Sequence, residues 1–265
     1  MRKLLFLIVL VTFSLKGHSF FNYQGTQEAS ALRSLQREAQ SEGLNSFKVL
    51  IWNVYKEGKR SFSEEERRIL TQEKPHIALY QEAKKSPGQT CMSGSDCFFS
   101  EAIQVEEDFF GVKTSSTLPI KSARALHSDH LEPILETPKT SLITYIEING
   151  REMAIINTHG INFVGLEAYR LQLEEIEQEV STFDGPLVWG GDFNSWSKKR
   201  IKVLNEITDR LGLEEIIIKK KSLVKSFMGH KLDRVFSRDL KILKSEALKC
   251  SGSDHNPIVV EFSAF

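Results

Sequence analysis

The chain alternates between two hydrophobic periods, and each predicts a different kind of element. Residues 47–54 (FKVLIWNV) are a β-branched apolar run that predicts a buried strand, and residues 77–80 predict a shorter one ending at Gln81-Glu82. Residues 141–148 and 153–157 are alternating runs flanking Asn149-Gly150, the strongest short-range signal for a β-hairpin. Residues 187–189, 232–236 and 258–262 add three short strands. Helical spacing takes over at residues 166–180, where Leu166, Tyr169, Leu173, Ile176 and Val180 make one apolar face. The charged stretch 63–72, closed off by Pro75, predicts a second helix, and residues 27–42, ending before Gly43, a third. The polar stretches 84–96 and 121–140 read as surface connections. Strands outnumber helices and hairpins are evident, so a mixed α+β sandwich fits better than an all-parallel sheet.

The first residues follow another logic. A basic start (Arg2, Lys3), an apolar run over residues 4–15 and small residues at Gly17 and Ser19 are the three parts of a secretory signal peptide. The expected organisation is a leader at 1–19, a helical lead-in at 20–46 and a catalytic domain over 47–265, exported to the periplasm or secreted. The apolar run is shorter than the roughly 20 residues a bilayer crossing needs, and no later segment is long and apolar enough.

Charge balances over the whole chain, with 35 basic and 35 acidic residues. Losing the leader removes Arg2, Lys3 and Lys16, leaving the acidic side ahead by 3. That argues against a protein that coats nucleic acid, though not against a local basic groove. In an oxidising compartment Cys91 and Cys97 would close a short loop, leaving Cys250 as a small buried hydrophobe.

The chemistry lies where polar residues meet strand ends. Asn53, Glu82, His159 and Asp192 each fall at or just beyond the carboxyl end of an apolar strand, and Asp254-His255 precedes the last one. Such rims gather binding groups on a rigid scaffold. Carboxylates with an asparagine are hard oxygen ligands, suited to Mg2+, Mn2+ or Ca2+ rather than zinc. Two histidines add acid–base chemistry near neutral pH. Metal, histidine and carboxylate together are what hydrolysis of a phosphate ester requires. Taken singly the pieces have simpler readings: Gly190-Gly191-Asp192-Phe193-Asn194 is also a plausible tight turn, and Asp233-Arg234 an exposed charge pair.

As a set these residues resemble the endonuclease/exonuclease/phosphatase superfamily, which includes DNase I. The matching pieces run in order: Trp52-Asn53, Gln81-Glu82, Asn157-Thr158-His159, Gly191-Asp192-Phe193-Asn194, Leu232-Asp233-Arg234-Val235-Phe236 and Ser253-Asp254-His255. Gly111-Val112, Ser116 and Pro119-Ile120 resemble the family's central hairpin. Trp52-Asn53-Val54-Tyr55-Lys56 and His159-Gly160-Ile161-Asn162-Phe163 are similar to a YafD-like bacterial branch. The resemblance implies a four-layer α/β/β/α sandwich of two packed mixed sheets; a monomer is expected. It assigns Glu82 as main metal ligand, completed by Asn53 and Asp254. Asp192 would activate the attacking water, and Asn194 would hold that water and a phosphate oxygen. His255, fixed in tautomer by Asp233, would act on the phosphate or the water, and His159 would donate to a phosphate oxygen or the leaving group.

Substrate is less legible. The expected reaction is metal-dependent cleavage of a phosphodiester, with DNA or RNA favoured. An exported phospholipid or inositol-phosphate phosphodiesterase, or a non-catalytic binding protein on the same fold, stays open. Basic clusters at Lys198-Lys199-Arg200 with Lys202 and at Lys219-Lys220-Lys221 with Lys225 would either line a polyanion path or solvate a helix face. Trp196 would stack on a base or headgroup, or cover the core. No long apolar hairpin of the membrane-acting kind stands out. His127-Ser128-Asp129-His130 is expected to be a solvated loop rather than a metal site.

Overall fold

A computed structural model describes residues 29–32, 43–89, 91, 95–133 and 136–265. Two sheets pack face to face. The first runs, in spatial order, Ser30–Leu32, Asp96–Val105, Asp108–Ser116, Ile77–Lys85, Ser46–Asn53, Ile258–Ser263 and Ile242–Ala247. The second runs Glu214–Glu215, Asp233–Arg238, Leu187–Asp192, Arg151–His159, Thr140–Ile148 and Ile120–His127. Each sheet is antiparallel apart from one parallel pair: Ser46–Asn53 with Ile77–Lys85, and Arg151–His159 with Leu187–Asp192. Helix α1 (Phe62–Glu73) covers the outer face of the first sheet, while α2 (Leu166–Val180) and α3 (Lys198–Arg210) cover the second. The order of layers is therefore α/β/β/α.

The alternation read from sequence decides which face each side chain joins. In Ser46–Asn53, Val49 and Ile51 point between the sheets, where they meet Leu79, Ile155, Val188 and Val235. Leu50 and Trp52 point the other way, onto Phe62 and Ile69 of α1. A one-residue slip would exchange these two sets, so burial on both faces pins the register. Trp189 likewise turns outward to join Tyr169, Leu173, Ile176, Leu204 and Ile207 of α2 and α3. The sheets approach closely at Gly190, where an added Cβ would lie 2.9 Å from the Ile51 side chain.

Three expectations need correction. Residues 30–32 of the expected 27–42 helix form an edge strand paired with Asp96–Val105; residues 33–42 lie outside the described residues, as does the expected leader. The expected connection 121–140 begins with the strand Ile120–His127, which pairs along Thr140–Ile148. Gly111, Val112 and Ser116 lie within the strand Asp108–Ser116, and Ile120 already belongs to the other sheet, so this segment carries the chain across the sandwich. Asp96–Val105 and Asp108–Ser116 form a hairpin with no strong apolar alternation. The Asn149-Gly150 hairpin forms as expected, with φ of 51° and 78°. Cys91 and Cys97 are disulfide-bonded.

Candidate active site

Parallel strands end at the same edge of a sheet, and here both parallel pairs end at the same edge of the sandwich. Asn53 stands in register with Gln81, and His159 with Asp192. Asp233 begins the antiparallel strand next to them, directly opposite Asp192. Polar side chains then bridge the two sheets. Gln81 donates to Asn157 Oδ1 at 2.7 Å, and Asn53 donates to Asp192 Oδ2 at 3.0 Å. His255 enters from the turn before Ile258–Ser263. Its N–H donates to Ser253 Oγ, the Ser253 hydroxyl donates to Asn53 O, and the Trp52 indole donates to His255 O at 3.0 Å.

The resulting group is compact and mostly buried. His255 Nδ1 lies 2.9 Å from Asp233 Oδ1, and its Nε2 lies 3.8 Å from Asp192 Oδ2. His159 Nε2 is 3.8 Å from both Asp192 Oδ2 and Glu82 Oε1. The two histidines differ in charge. Burial alone would discharge His255, but the charge of Asp233 and its hydrogen bond, with Asp192 and Asp254 behind them, raise its pKa to about 9. Burial, with help from Lys139, His255 and Lys56, takes His159 well below the usual histidine range. At neutral pH His255 is therefore an imidazolium donor, and His159 a neutral imidazole whose carboxylate contacts are not ion pairs. Burial, then the charge of Asp233, raises Asp192 against the pull of His255. That makes it a better proton acceptor than a solvated aspartate.

Strained backbone marks the same rim. Glu82 sits at φ +52° in a bulge between Tyr80 and Ala83, and Asn194 at +47°. Tyr55, Lys56 and Glu57 are all left-handed, which costs about 1–2 kcal/mol per residue for L-amino acids. The Asn53 side chain accepts the Tyr55 N–H at 3.0 Å and so helps to set that turn. Close approach demands glycine at two places. A Cβ on Gly191 would lie 2.0 Å from Thr158 O, and one on Gly160 2.5 Å from Phe193 O.

Seven of the eight predicted residues come together: Asn53, Glu82, His159, Asp192, Asn194, Asp233 and His255. Asp254 does not join them; it is exposed and its carboxylate pairs with Lys225 Nζ at 2.7 Å. Asn53 Oδ1 is engaged by Tyr55, and its Nδ2 faces Asp192 and Glu82 (3.4 Å), so it orients the acids. Asn194 braces the rim, its N–H donating to Asp192 Oδ1 and its amide to Gly160 O at 2.8 Å. Asp233 and Arg234 are buried rather than an exposed pair, Arg234 reaching Glu215 and Ser195.

Two supporting residues escaped the sequence reading. Gln172 accepts the Ile161 N–H and donates to His159 O; its signal was a polar residue on the apolar stripe of α2. Arg200, grouped with Lys198 and Lys199 as a basic cluster, is buried between the rings of Tyr169 and Trp196. Its guanidinium donates to the carbonyls of Ile161, Asn194 and Val164, binding the loop after His159 to the loop after Asp192. Trp196 donates to Asn162 Oδ1. In the 127–130 segment, His127 is half-buried against Glu101 O, Ser128 is buried, and Asp129 and His130 are exposed.

The donor set suits a hard divalent cation. Among the described residues Glu82 Oε2 has no hydrogen-bond partner, while its side chain remains 22% exposed at the mouth. Asp192, Asp233 and His255 also offer ligand atoms within 4.8 Å of one another. Those three are buried whereas Glu82 opens to solvent, which favours Glu82 as the anchor.

Comparison with known proteins agrees with this fold. A UPF0294 protein of Photorhabdus laumondii is 33% identical over 227 residues, covering 83% of this chain and 85% of that one. One of Vibrio vulnificus is 29% identical over 241 residues, covering 89% and 81%. Among solved structures, an endonuclease/exonuclease/phosphatase family protein from Leptotrichia buccalis superposes with TM-score 0.63 at 17% identity, covering 82% of this chain and 99% of that one. D. rerio TDP2 complexed with single strand DNA product gives 0.63 at 14% identity, covering 82% and 99%. The sequence matches the Endonuclease/Exonuclease/phosphatase family over residues 50–255, and the chain belongs to that family.

Proposed function

We propose that the protein is an exported, divalent-metal-dependent phosphodiesterase acting on nucleic acid. One observation carries the reading: His255 and His159 face the same oxygen of a buried Asp192, beside a partly exposed Glu82. That arrangement supplies a base, a cationic donor and a cation anchor on one rim. Asp192, with its raised pKa, takes the proton of a water attacking phosphorus. His255, oriented by Asp233 through Nδ1, donates from Nε2 to a phosphate oxygen. The Asn53 amide holds the carboxylates in place and Asn194 fixes the orientation of Asp192, while His159, which makes no hydrogen bond to them, donates to the leaving oxygen as its bond to phosphorus breaks. Glu82 would hold Mg2+ or Mn2+, with Asp254 joining once released from Lys225; the cation supplies charge neutralisation at the phosphate. A nucleic-acid substrate is supported by the fold's likeness to a protein solved with single strand DNA product. Export is supported by the leader pattern and by the Cys91–Cys97 bond, which suits an oxidising compartment.

The test is a substrate panel (plasmid, single-stranded DNA, RNA, phospholipids and inositol phosphates) with Mg2+ or with EDTA. Nucleic-acid cleavage abolished by chelation is the expected result. Turnover insensitive to EDTA would overturn the mechanism, and turnover confined to phospholipid or inositol phosphate would overturn the substrate.

A further inference from the structure

Large apolar side chains left in water ask for an explanation when they cluster. Among the described residues four aromatic side chains are exposed: Tyr55 (44%), Phe163 (61%), Phe227 (51%) and Phe265. The first three lie within six residues of a site residue, namely Asn53, His159 and Asp233 respectively. They sit on three different loops of the same rim.

Local hydrogen bonds fix the backbone that carries these rings. Phe163 has φ +53°; its N–H donates to Asn162 Oδ1, an oxygen also held by the Trp196 indole, and the Asn162 N–H donates to Glu132 Oε1. Tyr55 has φ +51° and is fixed through Asn53. Phe227 pairs with His230 across a tight turn, Met228-Gly229, with φ of +52° and +80°. The base of that hairpin is tied to the rim by Lys231 O, which accepts from Ser195, and by Lys225 on Asp254. Lys59 Nζ lies 5.7 Å from the centroid of the Tyr55 ring, and further lysines are close in sequence to the rings: Lys56 after Tyr55, Lys225 and Lys231 on either side of Phe227, and the exposed Lys198 and Lys199 after Trp196.

We propose that Tyr55, Phe163 and Phe227 form a base-stacking platform around the phosphodiesterase centre, selecting single-stranded over duplex nucleic acid. The proposal rests on the nucleic-acid reading above and narrows it. Exposed flat rings on a fixed backbone, with cations nearby in the chain, are the equipment for binding unpaired strands, since every base has a π face. Paired bases are stacked on each other and cannot offer their faces to rings on three separate loops. A membrane would favour one contiguous apolar protrusion, whereas these rings are separated by polar loops around buried acids.

Binding is measured by fluorescence anisotropy of a labelled 12-nucleotide strand, alone and in duplex, with EDTA present so that nothing turns over. The single strand should bind at least tenfold tighter than the duplex. Phe163→Ala and Phe227→Ala should each weaken single-strand binding about tenfold, and Phe163→Tyr and Phe227→Tyr should restore it. Equal affinity for strand and duplex, or alanine variants that bind as the wild type does, would overturn the platform. So would alanine variants that lose affinity for phosphatidylglycerol vesicles instead of the oligonucleotide. Ring-dependent strand binding without hydrolysis would keep the platform and sink the catalytic reading. Metal-dependent hydrolysis without ring dependence would do the reverse.

Discussion

Two left-handed turns stand at opposite ends of this sandwich, and they are built on opposite terms. At the far end Asn149-Gly150 uses the residue types that tolerate positive φ, and the Asn149 side chain donates to Leu44 O and Phe265 O while accepting from Leu44 N. At the candidate-site end Tyr55-Lys56-Glu57 is left-handed over three residues with neither Gly nor Asn among them. The far turn places side chains where the backbone prefers them. The turn at the candidate site bends the backbone to place side chains, beside Asp192, whose burial opposes its charge. The first turn follows local preference, and the second goes against it next to buried polar groups.

The largest expected effect is on catalysis at the strained end. Asp192→Asn should lower kcat by about 10³-fold while the melting temperature holds or rises, because a buried charge is removed. A variant retaining wild-type kcat would remove Asp192 from the mechanism. Next comes backbone proximity beneath the site. Gly191→Ala drives a Cβ against Thr158 O and should cost about 3 kcal/mol in urea unfolding.

The pH dependence follows from His255. Its folded pKa, about 9, exceeds the unfolded value, so its contribution is fully present below about pH 6.5 and is lost as pH rises through 9. Metal-free protein should lose on the order of 3 kcal/mol across that window, and His255→Asn should flatten the profile. The smallest effects test the two turns directly. Lys56→Gly should stabilise by about 1 kcal/mol, whereas Asn149→Ala should destabilise by about 1–2 kcal/mol. If both changes destabilise equally, the contrast between the turns fails.

Legibility in the sequence follows burial. Residues 47–54, 77–80 and 166–180 were readable because their side chains face a core on at least one side and keep its period. Ser30–Leu32 and Ile120–His127 were missed because they are edge strands, defined by pairing along one side only. The Asp96–Val105/Asp108–Ser116 hairpin was missed because polar Ser, Thr, Lys and Glu residues interrupt its apolar ones, so no clean alternation appears. Site residues were visible because they end apolar runs. Arg200 was not, since a buried arginine and a solvated one look the same inside a Lys-Lys-Arg run.

By itself, the sequence determined the family, the layered architecture and the eight polar residues from which the site is drawn. Local periodicity and motif order carry that information. Only the tertiary structure decided which oxygen faces which nitrogen. It charged His255 and discharged His159 through burial and the placement of Asp233, it turned Asp254 outward to Lys225, and it brought Tyr55, Phe163 and Phe227 to one rim. Those outcomes depend on distances between residues far apart in the chain, set by the convergence of two parallel strand pairs.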